Sequence, residues 1–175
     1  MNTTLRIFAI LGAALTLGAC APAMTGSGTP VQAASPLATL DVPAGKTTFV
    51  QYTYPAEYFG ISKTDMDATV PVNFGRRDAV DQVQSPSKAV DWLKLDAADA
   101  PDGWNVSLAN VAAEKTIART DNMSTSIEVR YYNNLRVTYK IDVPATAAGA
   151  QPILARLKVC GKDVKSVPLM LNVKK

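Results

Sequence analysis

Along residues 135–143 apolar and polar side chains alternate without a break. Leu135, Val137, Tyr139, Ile141 and Val143 point one way, and Arg136, Thr138, Lys140 and Asp142 the other. Successive side chains leave a strand on opposite faces, so this period of two describes a strand with one dry face and one wet face. Ile127, Val129 and Tyr131 alternate in the same manner with Ser126, Glu128 and Arg130. Asn133-Asn134 lie between the two runs. Asparagine is the non-glycine residue most tolerant of the positive φ that a two-residue turn needs, so the pattern predicts a β-hairpin turning there.

Similar apolar runs predict strands at residues 46–54, 68–74, 89–96, 104–108, 153–160 and 167–173, with a short edge strand at 37–42. Turn material separates them: Pro43-Ala44-Gly45, Pro55, Pro86, Pro101-Asp102-Gly103, Pro144 and Gly161-Lys162-Asp163. Short helical turns are expected at 77–83 and 112–117. About seven to nine short strands with such breaks predict an all-β fold, a single antiparallel sandwich spanning residues 37–175.

The first residues follow another rule. Arg6 is a lone positive charge ahead of an apolar run from Ile7 to Ala19. That run is shorter than the ~20 residues a helix needs to cross a bilayer, and it has the length of a signal-peptide core. It closes on Leu17-Gly18-Ala19-Cys20, which resembles the lipobox of bacterial lipoproteins: leucine, two small residues, then cysteine. The resemblance implies a signal peptide over residues 1–19, cleavage before Cys20, and acylation of Cys20. Two or three acyl chains, at ~0.8 kcal/mol per buried methylene, hold a protein at a membrane essentially permanently. The expected location is therefore the cell envelope. Ala21 after the cysteine resembles lipoproteins of the outer membrane, where the host has two. Residues 20–36 are small, uncharged and broken by Gly and Pro, and they read as a flexible tether with a reach of about 20 Å.

A second resemblance concerns the domain. Pro101-Asp102-Gly103-Trp104-Asn105-Val106-Ser107-Leu108, the alternating strand that follows, and Val143-Pro144-Ala145-Thr146-Ala147-Ala148-Gly149-Ala150 are similar to the immunoglobulin-like NEW3 type of accessory domain. Pro43-Ala44-Gly45-Lys46-Thr47-Thr48 fits the start of the first strand in such domains. The resemblance covers about half the chain and implies an immunoglobulin-like sandwich. It brings no site residues.

Composition narrows the chemistry. Hydrophobic residues make up 47% of the chain and charged residues 19%, enough apolar material for a core. There are 18 Lys and Arg against 15 Asp and Glu, a near balance without the concentrated basic face of nucleic-acid binders. The chain has no histidine, which excludes Ser–His and Cys–His hydrolases and zinc sites built on imidazole. No cofactor is expected.

Tyr54, Tyr58 and Phe59, with Tyr52 beside them, are the candidate contact residues. Exposed, they would stack on sugar rings or enter a partner surface. Turned inward, Tyr52 and Tyr54 would join the core while Tyr58 and Phe59 covered one end, and this reading carries more weight. Trp92 and Trp104 read as core. Asp96, Asp99 and Asp102 lack the spacing of a calcium loop, Asp65 and Asp67 have its alternate spacing but no glycine or closing glutamate after them, and all five read as solvated. Cys160 shares a strand face with Arg156 and Lys158, which suggests partial exposure, against the more frequent outcome of burial near a strand end. The expected function is a non-enzymatic module of the envelope binding a protein partner, with carbohydrate or cell-wall binding as the alternative. Replacing Cys20 with Ala removes the acyl mass from the processed chain and moves the protein from the membrane to the soluble fraction; an unmodified first residue in the wild type refutes the anchor.

Overall fold

The computed structural model describes residues 29–72, 86–122 and 127–175. Cys20 and the helical turn expected at 77–83 lie outside them. The dry half of the alternating run behaves as its pattern requires: Leu135, Val137, Tyr139 and Ile141 have no exposed surface and Val143 very little. On the other face Arg136 and Lys140 are partly exposed and Thr138, bonded by Gln51, is buried. The strands are β1 (Val31–Gln32), β2 (Leu40–Pro43), β3 (Thr47–Pro55), β4 (Ser87–Ala89), β5 (Leu93–Asp99), β6 (Asn105–Asn122), β7 (Ile127–Asp142), β8 (Gly149–Val159) and β9 (Val164–Lys174). A single 3-10 turn at Ala56–Phe59 and the helix α1 (Lys63–Thr69) follow β3.

The strands form two sheets, in the orders β1-β3-β7-β6-β4 and β2-β9-β8-β5. They pack face to face around alternating residues: Val50, Tyr52 and Tyr54 from β3; Ile153, Ala155, Leu157 and Val159 from β8; Val167, Leu169, Leu171 and Val173 from β9. The fold is an all-β sandwich. The series β3-β7-β6 against β5-β8-β9 follows the immunoglobulin connectivity, with B-E-D in one sheet and C-F-G in the other. Two edges depart from a purely antiparallel arrangement. β1 runs parallel to β3, and β2 runs parallel to β9. The first of these edge strands, β1, falls within the residues 20–36 that composition marks as tether.

Four expectations are corrected. The chain does not turn at Asn133-Asn134: β7 runs straight through, with Asn133 opposite Lys115 and Asn134 opposite Glu114. Both asparagines instead bond across the ladder, Asn134 Nδ2 donating to Thr116 Oγ1 at 3.1 Å, so no positive φ is needed. The expected helical turn at 112–117 is part of β6, flanked by β7 throughout and by β4 at Ala112–Glu114. Pairing on both edges overrides the helix propensity of Ala-Ala-Glu-Lys. In the expected strand 68–74, Ala68 and Thr69 close α1 instead. The expected strand 89–96 divides between sheets: Val90 N–H still bonds Val111 in the first, while Trp92 C=O accepts from Cys160 in the second.

The register defines two ends. At one lie Thr47, Asp142, Asn105 and the end of β9 beside Ala44. At the other lie Pro55, α1, the turn between β8 and β9, and the far reach of β6 and β7. Because β1 is parallel to β3 with Val31 opposite Val50, the chain reaches β1 from the Thr47 end. Replacing Leu135 with Ala, the first fully buried residue of this file, should cost about 2–5 kcal/mol in urea unfolding; a cost below that range would mean β7 is not tightly packed there.

Candidate functional site

Ser62 ends the approach to α1 and starts the helix through a reciprocal capping box: its Oγ accepts from Asp65 N–H, and the Asp65 carboxylate accepts from Ser62 N–H. The helix turns Met66 fully inward, and Val70 just after it is buried too. Lys63 and Asp67, four residues apart, then lie on one side, with Lys63 Nζ 2.6 Å from Asp67 Oδ2.

The same end of the molecule receives an extension of the first sheet. β3 stops at Pro55 opposite Asn134, and β4 reaches β6 only as far as Glu114. Past these points β6 and β7 continue together from Lys115↔Asn133 to Asn122↔Ile127 as a two-stranded ribbon, with a bulge between Ile117 and Arg119. Lys115 follows Val111 and Ala113 in the inward file of β6, so its side chain enters the interior at the point where α1 closes the sandwich. Its side chain is only 3% exposed.

A buried ammonium must be matched, because an unpaired charge in low dielectric is costly. Lys115 Nζ donates to Asp67 Oδ1 and, at 3.1 Å, to Asn133 Oδ1. Asp67 thus receives Lys115 on one oxygen and Lys63 on the other. The hydrogen bond from Lys115, and then that from Lys63, holds the Asp67 carboxyl below the usual carboxylate range. A cleft of about 680 Å³ opens above this cluster, walled by Lys63, Asp67 and Pro71 on one side and by Lys115, Tyr131 and Asn133 on the other. Tyr132, 66% exposed, lies on the opposite face of the ribbon.

The aromatic candidates are placed elsewhere. Tyr54 and Phe59 are 3% and 1% exposed and Tyr58 is 47% exposed, so they do not form a shared surface. Their rings pack edge to face, Tyr54 on Phe59 at 5.8 Å and Tyr58 on Phe59 at 5.2 Å. The period of β3 carries Tyr52 and Tyr54 inward, and the 3-10 turn folds Phe59 back over them. Burial pushes the Tyr52 hydroxyl up to about 12 and raises Tyr54 and Tyr139 as well. Tyr58 Oη donates to Ser166 C=O at 2.9 Å. Tyr54 and Phe59 thus follow the inward alternative and form an end plug, which removes them from the contact candidates. Trp92 and Trp104 pack half-buried against the core.

Cys160 is exposed, which corrects the expectation of burial. Asp99 accepts from Arg156 at 2.6 Å. Among the described residues no group of three or more Cys, Asp or Glu side chains is placed to hold a metal ion. The sequence reading missed the Lys115 cluster. Its signal was a lysine in phase with Val111 and Ala113, hidden by reading that stretch as helical.

Asp67→Ala leaves Lys115 buried without its carboxylate and should cost about 1–3 kcal/mol, because Asp67 itself is partly solvated. Lys115→Met in the same background should recover part of that loss. The pH dependence has a definite sign. A carboxyl lowered in the folded state stabilises the fold above its unfolded pKa, and that contribution disappears as pH falls through the lowered value. Unfolding curves of Asp67→Asn should lack that component of the acid slope; identical slopes in wild type and variant refute the ion cluster.

No family model matches the chain, and no curated protein does. A solved structure described as "Solution Structure of Amebosin" is similar at 10% identity, over 83% of this chain and 100% of that one, with a TM-score of 0.30.

Proposed function

We propose that this chain is a non-enzymatic lipoprotein of the cell envelope, anchored through Cys20, whose sandwich offers the β6–β7 ribbon and its cleft to a protein partner. In a host with two membranes the anchor lies in the outer membrane. The observation that carries the reading is the parallel register of β1 on β3. It brings the anchored segment in at the Thr47 end, while the ribbon and α1 occupy the other end. At ~3.4 Å per residue, the 16 residues of β7 span about 50 Å. The ten residues from Cys20 to Thr29 span at most about 36 Å even fully extended, less than the length of β7. An acylated chain would therefore hold the Thr47 end near the lipid and present the ribbon outward.

The absence of histidine supports a binding rather than a hydrolytic role. Tyr132 supports a protein partner, since exposed tyrosines are favoured at interface centres. The carbohydrate reading asked for Tyr54, Tyr58 or Phe59 to face solvent in a groove; Tyr58 is the exposed one of the three, and its hydroxyl is bonded to Ser166 C=O. A photo-crosslinking residue in place of Tyr132, in intact cells, should capture one predominant envelope protein, and the same residue in place of Lys46 should not. Recovery of the chain uncrosslinked from both positions overturns the proposal.

A further inference from the structure

We infer that the cleft receives an extended acidic segment of the partner, laid along β7 with a carboxylate on Lys115 and Lys63; this rests on the interaction role proposed above and names the chemistry recognised. Two independent features point to it. The first is backbone. From Val129 to Asn133 the pairing of β7 with β3 has ended at Pro55, and no described strand takes its place. An open strand edge has alternate N–H and C=O groups pointing outward and is a template for another extended segment. The cleft runs along these residues, facing α1 and Pro71-Val72 across it.

The second feature is charge. Two ammonium groups share one carboxylate, Asp67, so the cluster holds a net positive charge. Lys115 has three N–H donors and, among the described residues, bonds two acceptors, which leaves one donor toward the cleft that it lines. The Lys63 side chain is 80% exposed and free to turn from Asp67 toward an incoming anion. A carboxylate meeting a nearly buried ammonium gains far more than one meeting a solvated lysine, because water does not compete for it. Val72 and Val129 also line the cleft and suit an apolar side chain beside the acidic one. An extended segment alternating acidic and apolar residues meets both demands.

The test uses the full mature chain in detergent and a fluorescein-labelled peptide, Thr-Val-Glu-Val-Glu-Val-Thr, against its counterpart with glutamine at both acidic positions. Charge-assisted bonds of about 1.5–3 kcal/mol predict at least tenfold tighter binding of the glutamate peptide by anisotropy. Lys63→Glu, a change at an exposed side chain that leaves the fold intact, should remove that preference. Lys46→Glu at the opposite end should not. Hydrogen exchange should show new protection at residues 129–133 on binding. Equal binding of the two peptides, insensitivity to Lys63→Glu, or protection confined elsewhere overturns the inference. So does a chain dimer that dissociates on Lys63→Glu, which would make a second copy the occupant. If the peptide fails while Tyr132 still crosslinks a neighbour, this inference falls and the interaction role stands. If the peptide binds while no neighbour is captured, the role falls and the acidic specificity stands.

Discussion

β7 is hydrogen-bonded on both edges from Asn134 to Asp142, to β3 on one side and β6 on the other, and its inward file is fully buried. Every other placement depends on that burial. With a side-chain period of two, a slip of one residue would put Arg136, Thr138 and Lys140 into the core and Leu135 to Ile141 into water. The register of β7 is thereby held, and with it the registers of β3 and β6. Once these are fixed, β8 and β9 have one apolar face each to offer, and the second sheet covers the first.

The same constraint creates the cleft. β6 and β7 continue past the point where β3 and β4 end, so the inward file meets a boundary at Lys115 and Asn133. A side chain there is neither in the apolar interior nor in water. The chain answers with an ammonium matched by a carboxylate from α1 and an amide from β7. Such a cluster contributes less to stability than well-packed hydrocarbon would, because desolvation offsets much of the attraction. What it provides is position: α1 is tied to the root of the ribbon by a contact that no apolar pair would direct so closely. The positive charge left over gives the cleft its proposed preference for anions.

The aromatic residues show how local pattern and tertiary outcome diverge. Tyr54, Tyr58 and Phe59 are close in sequence and look alike as candidates. The alternation of β3 settled Tyr54, as it settled Tyr52. Phe59 was decided by the 3-10 turn, and that turn exists because Gly60 takes a left-handed φ of 70° and lets the chain double back over the core. Cys160 lies one residue past the buried file of β8, on the face with Arg156 and Lys158, and alternation alone points it outward. The pair Asn133-Asn134 was legible as a turn only in isolation. Its extended form depends on the length of β6, a strand too distant in sequence for a local rule to weigh.

Alone, the sequence determined the all-β class, the dry faces of β3, β7, β8 and β9, and the burial of Tyr52 and Tyr54. It did so because alternation and turn residues act over a few neighbours, and hydrophobic burial is indifferent to which partner supplies the cover. Only the tertiary structure decided that β6 and β7 outrun their neighbours, that Lys63 to Thr69 form a helix at the root of that ribbon, and that Asp67 meets Lys115 across 48 residues of chain. A charge is paired by proximity in space. No period in the sequence records which distant carboxylate the folded sheets will bring within reach.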